Sequence, residues 1–108
     1  MGAVLVLTTV AAATDAEAIA GTLVAERLAA CVNVLPVMRS VYRWQAAVQR
    51  EDERQLVIKT SADRLPALEA RLLALHPYEL PELLVLSAAG GSKAYLDWIG
   101  AQTSPDPP

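Results

Sequence analysis

From Cys31 to Thr60 the chain reads as extended almost throughout, and a β region of that length narrows the folds open to 108 residues more than any other feature. The first part, "CVNVLPVMRSVYRW", is rich in valine and too long for one strand. Pro36 cannot donate to a ladder, so it marks an edge or a bulge partway along. A turn at Gln45 and Ala46 leads into a second run from Ala47 to Thr60, charged at "QREDER" and apolar at "LVIKT". Together the two runs predict a long hairpin. Its charged middle suits a solvated edge, which discourages pairing with other chains.

The flanking segments alternate between strand and helix. "AVLVLTTV" at 3–10 is a short β-branched run, apolar on both faces at its start as a central strand would be. Thr14 and Glu17 form a capping box, and Ala16, Ile19, Ala20, Leu23 and Val24 then share one side of a helix, with Asp15, Thr22 and Glu26 opposite. A second helix from Asp63 to Leu75 sets Leu65, Leu68, Leu72 and Leu75 in one buried stripe, with Pro66 in the first turn where its missing N–H has no partner to lose. Pro77 stops it and pushes His76 out of the helical basin. "ELLVLSA" reads as a strand, Gly90 and Gly91 as a turn, and "SKAYLDWIGA" as a short amphipathic helix; "TSPDPP" has nothing to pack with. This order predicts an α+β, ferredoxin-like (split βαβ) antiparallel sheet with helices on one face, a long hairpin and an extra C-terminal helix. One domain over residues 1–103, with 104–108 as a flexible tail, uses the whole length.

Composition matters at the sheet's second face. Hydrophobic residues make up 54 % and charged residues 19 %, against about 25 % charged in an ordinary soluble domain. A small domain has little interior, so the surplus predicts that copies of the chain cover one another. A net charge of −3 gives no basic footprint for nucleic acid. "MGAVLVLTTVAAATDA" has the apolar look of a signal region but no preceding Lys or Arg, and removing it would delete a core strand. No run reaches the ~18 apolar residues of a membrane span. Cys31 is the only cysteine, which excludes an internal disulfide and fits the cytoplasm.

Several stretches, taken together, resemble the CutA divalent-cation tolerance family: "RLAACVNVLP" from Arg27 to Pro36, "SVYRW" from Ser40 to Trp44, "IKT" from Ile58 to Thr60, "HPYELPEL" from His76 to Leu83 and "YLDWI" from Tyr95 to Ile99. The likeness runs over about residues 3–103, in order and without gaps. It implies a homotrimer in which long hairpins of neighbouring subunits pair and pack, a kinship in shape with PII signalling proteins, and a role in tolerance of divalent metals such as copper. It implies no catalytic reaction and no required cofactor. The alternative is a PII-like sensor or adaptor, whose hairpin reports ligand state to a partner protein. The family's usual Trp-x-Gly-Lys at the hairpin turn is here Trp44, Gln45, Ala46, Ala47. A glycine position often needs positive φ, which costs alanine roughly 1 kcal/mol or more. Ser87 stands where proline is usual.

His76 carries two readings. As a metal ligand its neutral imidazole suits copper, with Glu79 and Cys31 as partners. As a structural residue its ring is hydrogen-bonded at the helix end, and the weight lies here, because "HPYE" is no ligand motif and paired Cys or His are absent. Cys31 reads first as a small buried hydrophobe, next as a metal contact, and last as a nucleophile with His76. Tyr42 and Trp44 alternate with Arg43 and so share a sheet face, as interface anchors or a pocket wall. Tyr78 and Trp98 add to that aromatic surface. Lys59 suits an ion pair with Glu79 or Glu82, and Arg27 packs its stem while its guanidinium reaches an acid on a neighbour. These six residues, Arg27, Tyr42, Trp44, Lys59, Tyr78 and Trp98, outline an expected ligand or interface cleft.

Overall fold

Strand β1 (Ala3–Ala11) leads into helix α1 (Ala16–Ala25), followed by β2 (Cys31–Val34), β3 (Met38–Trp44) and β4 (Ala47–Ser61). A 3₁₀ turn at Ala62–Arg64 opens α2 (Leu65–Leu75), and β5 (Leu84–Ser87) and α3 (Lys93–Gln102) come last. The computed structural model describes residues 2–105, so Asp106, Pro107 and Pro108 of the expected tail lie outside the described residues. The sheet runs β2-β4-β1-β5 with every neighbour antiparallel, and β3 pairs with β4 beyond the end of β2. This is the expected ferredoxin-like α+β order, with one strand position shared by β2 and β3.

The division falls at Pro36, and its register matters. Val34 stands opposite Leu56, whereas Met38 stands opposite Glu53, so the β2–β3 side carries one residue more than β4 across the gap. That is a bulge. Val32 and Val34 face the helices with Leu56 and Ile58. After the bulge the even-numbered Met38, Ser40, Tyr42 and Trp44 share the opposite face with Glu53 and Gln55.

The core lies between sheet and helices. Val4, Val6 and Val10 of β1 and Leu56 and Ile58 of β4 pack against Ile19 and Leu23 of α1 and Leu68 and Leu72 of α2. Leu65 and Leu75 pack at the ends of the predicted stripe. Helix α1 starts one residue later than the capping box implies. Asp15 is the N-cap, its carboxylate accepting from the Ala18 N–H at 3.1 Å. The Thr14 N–H that Glu17 would have reached already donates to the Ala11 carbonyl at 2.9 Å. Val24 is 42 % exposed rather than buried, because eight residues at about 100° each carry it roughly 80° past Ala16, to the rim of the apolar stripe.

Helix α1 ends in a Schellman closure, with Leu28 N–H on the Leu23 carbonyl and Arg27 N–H on the Val24 carbonyl, both at 3.0 Å. Arg27 holds the left-handed position at φ 60°, where glycine is usual. Gly90 and Gly91 lie in an irregular link, not a tight turn. The end of the chain is also better packed than expected: Thr103 is buried, and its hydroxyl shares a 2.7 Å hydrogen bond with that of Ser61.

At the hairpin tip Gln45 has φ 49° and Ala46 φ 63°, the two left-handed residues of a primed two-residue turn. Alanine is strained there. Ala46→Gly is expected to stabilise the fold by about 1 kcal/mol, raising the midpoint of a thermal melt by several degrees.

The helix-free face is only partly covered. Leu5, Leu7, Val57, Leu84 and Leu86 are neighbours on it by register, and Leu84 and Leu86 are 58 % and 47 % exposed. Helix α3 crosses one end of that face near Lys59 and Ser61. At the other end, from Glu51 to Ala47, β4 has only β3 beside it, a two-stranded ribbon about 17 Å long.

Candidate functional site

Where the ribbon leaves the sheet, the helix-free face is hollowed into an open cavity of about 960 Å³. Tyr42, Trp44 and Glu53 form one wall; residues Pro77 to Glu82, between α2 and β5, form the other. The two-residue turn pairs Tyr42 with Gln49 and Trp44 with Ala47 and so holds both rings on this side, and Pro77 forces the chain out of α2 into the second wall.

His76 fixes that second wall. It is 7 % exposed, its Nε2 lies 2.7 Å from the Thr9 carbonyl, and its Nδ1 accepts from the Tyr78 N–H at 3.1 Å. An amide can only donate, so Nδ1 is the unprotonated nitrogen and Nε2–H donates to Thr9. Thr9 lies on β1 just past the last β5 pair, Leu7 with Leu84, so the imidazole takes over where the ladder stops. Both nitrogens are engaged within the subunit.

Tyr78 bridges the two walls. Its hydroxyl donates to Glu53 Oε2 at 2.6 Å, and its ring lies 4.9 Å from that of His76. Burial first, then the hydrogen bond to the Glu53 carboxylate, holds this phenol protonated well above the ordinary tyrosine range. Tyr42 is shifted the same way, by desolvation and then by Glu51 and Glu53. In an alkaline titration followed by tyrosinate absorbance, Tyr78 is expected to ionise after Tyr42. The unfolded chain releases that proton near pH ~10. The stability tied to Tyr78 is therefore complete below that pH and is lost as pH climbs towards the folded value. Tyr78→Phe should remove both the late phase and this part of the alkaline destabilisation.

The other expected site residues are distributed elsewhere. Cys31 is half-buried and stands opposite Lys59 on β4, four residues along from the Gln55 that pairs with Thr9, or about 13 Å of strand. It does not meet His76. Glu79 is exposed on the cavity's second wall. Among the described residues no group of three or more His, Cys, Asp and Glu could hold a metal ion. Lys59 forms no ion pair with Glu79 or Glu82; its Nζ sits 5.9 Å over the Tyr95 ring, which stacks on Trp98 at 5.5 Å. Alternation puts Lys59 on the helix-free face, four residues along β4 from the Gln55 whose amide approaches Glu82, and there it lies under α3.

Arg27 is engaged at the end of α3. Its Nε donates to the Ser104 carbonyl and its Nη2 to the Ala101 carbonyl, both at 2.7 Å, so it caps the end of α3 within its own subunit. The left-handed backbone turns the side chain that way. Glu53 was missed as a site residue because "QREDER" reads as uniformly solvated. Its register opposite Met38 is the signal that would have placed it inward.

The family model described as CutA1 divalent ion tolerance protein matches residues 4–102. The chain belongs to the CutA1 divalent ion tolerance family. The divalent-cation tolerance protein CutA of Thermus thermophilus is 47 % identical over 98 residues, covering 91 % of this chain and 95 % of that protein. The solved structure of CutA1 from Oryza sativa superposes with a TM-score of 0.92 at 37 % identity, covering 98 % of this chain and 97 % of that one. A structure described as the PII-like protein CutA from Nostoc, in apo form, superposes with a TM-score of 0.88 at 33 % identity, covering 95 % of this chain and 99 % of that one. The CutA1 family is named for tolerance of divalent ions, not for a catalysed reaction, and its ferredoxin-like fold is the one the sequence predicts. Among the described residues no helix is long and apolar enough to cross a membrane.

Proposed function

We propose that the chain acts without catalysis as a cytoplasmic homotrimer in tolerance of, or response to, divalent metals, copper among them. Clefts between its subunits would hold a metal or a small ligand. The observation that carries this reading is the apolar sheet face bearing Leu84 and Leu86, left open beside a ribbon that reaches past its own sheet. Exposed apolar area of that kind is stabilised by burial against another copy. No resident cofactor is required, and nucleic acid and membrane are not partners in this scheme.

With His76 engaged inside the subunit, copper contacts fall to Cys31 and Glu79, brought together from different copies. Thiolate and carboxylate donors would favour copper(II) over zinc through the general affinity order of divalent metals. Sedimentation equilibrium of dilute protein tests the assembly, and a lone stable chain would end the reading. Calorimetric titration with copper(II) tests the metal, with loss of heat in Cys31→Ser as the supporting result. The PII-like reading, a sensor whose ribbon reports ligand state to an unidentified protein partner, draws on the free ribbon and the description of the Nostoc relative. Heat with nucleotides and none with copper would favour it.

A further inference from the structure

Glu53 is 6 % exposed, yet it joins none of the ion pairs formed among the described residues, and the hydrogen bond it receives comes from a neutral phenol. A buried carboxylate without a countercharge is costly unless a cation joins it. The cavity beside it is walled by Tyr42, Trp44 and Tyr78, with Glu79 and Glu82 adding negative charge. Arg43 reaches this region too, but by alternation it belongs to the other face of β3, with Val48.

We propose that this cavity binds an organic cation whose charge is wrapped in apolar surface, of the quaternary ammonium class. The aromatic rings would surround its methyl groups, and Glu53 would supply the countercharge. The proposal rests on the reading that the cavity is a ligand site, and it names the ligand class. Two observations favour such a cation over a metal ion. A divalent metal needs several donors converging at about 2.0–2.6 Å, and the described residues offer no such group. An alkylated ammonium needs only ring faces within about 6 Å and a nearby negative charge, and a cavity of about 960 Å³ has room for it.

The test compares choline with its neutral isostere 3,3-dimethylbutan-1-ol on the assembled full-length protein, followed by calorimetry and tryptophan fluorescence. Choline is expected to bind roughly tenfold or more tightly than the alcohol, as cation–π attraction implies. Trp44→Phe should remove the fluorescence response, leaving Trp98 silent. Glu53→Gln keeps an acceptor for the Tyr78 hydroxyl, and it should lower choline to the level of the alcohol. Equal binding of the two compounds, or undiminished choline binding by Glu53→Gln, overturns the proposal. So does binding of neither, the result expected if a neighbouring subunit's cationic side chain fills the cavity. Sedimentation of the same sample reads the trimer separately, so failure of assembly and failure of cation recognition are distinguishable.

Discussion

Replacing Leu86 with arginine is expected to cut the sedimenting mass of the protein to one third while leaving its circular dichroism almost unchanged. In the single subunit Leu86 is 47 % exposed and contributes nothing to the buried core. A charge there should alter the subunit's own stability by no more than about 0.5 kcal/mol. In the proposed trimer the same position is covered by another copy. An unpaired charge buried in that way costs about 3–5 kcal/mol, and three copies repeat it. Leu73→Arg is the matched control, because Leu73 is also 47 % exposed but lies on α2, on the opposite side of the sheet. It should leave the mass intact. An unaltered mass for Leu86→Arg would show that the open sheet face is not where copies meet.

His76→Ala is expected to destabilise the fold by about 2–4 kcal/mol, because it removes two hydrogen bonds and a buried ring together. The loss is concentrated at one junction. The Thr9 carbonyl loses its donor, the Tyr78 N–H loses its acceptor, and the segment from Pro77 to Glu82 loses its anchor to β1. A chemical denaturation curve reads the energy, and choline binding should weaken as the second wall loosens. Copper(II) heat should survive in the folded fraction, since neither imidazole nitrogen is free to coordinate. The reverse pattern, unchanged stability with the copper heat gone, would make His76 a ligand after all.

How far the sequence could be read follows from how local each signal is. The leucine stripe of α2, its stop at Pro77 and the division of the long β segment at Pro36 rest on residues a few positions apart, and all three stand in the structure. The N-cap of α1 was misplaced by one residue because a competing acceptor, the Ala11 carbonyl, is visible only once the preceding turn exists. Arg27 was misread for a related reason: its direction depends on where α1 ends and on a helix more than seventy residues away. Lys59 and Tyr95 meet only because α3 crosses the helix-free face, which no spacing announces. The role of His76 was legible as a helix-end residue, but its partners on β1 and in the next segment were not. Glu53 was hidden most deeply: alternation from Leu56 along β4 gives its face, but its burial depends on Tyr78 and the segment after α2 closing over it from 25 residues away.

The surplus residue between Val34 and Met38 is a joint between two registers that are fixed independently. The tip at Gln45 and Ala46 pairs Trp44 with Ala47 and Tyr42 with Gln49 whatever the length of the link to β2, so one residue fewer there would remove the bulge and leave the rings facing the cavity. The chemistry that the ribbon displays is set at its tip: a one-residue change in that turn would bring Arg39, Val41 and Arg43 round to the carboxylates.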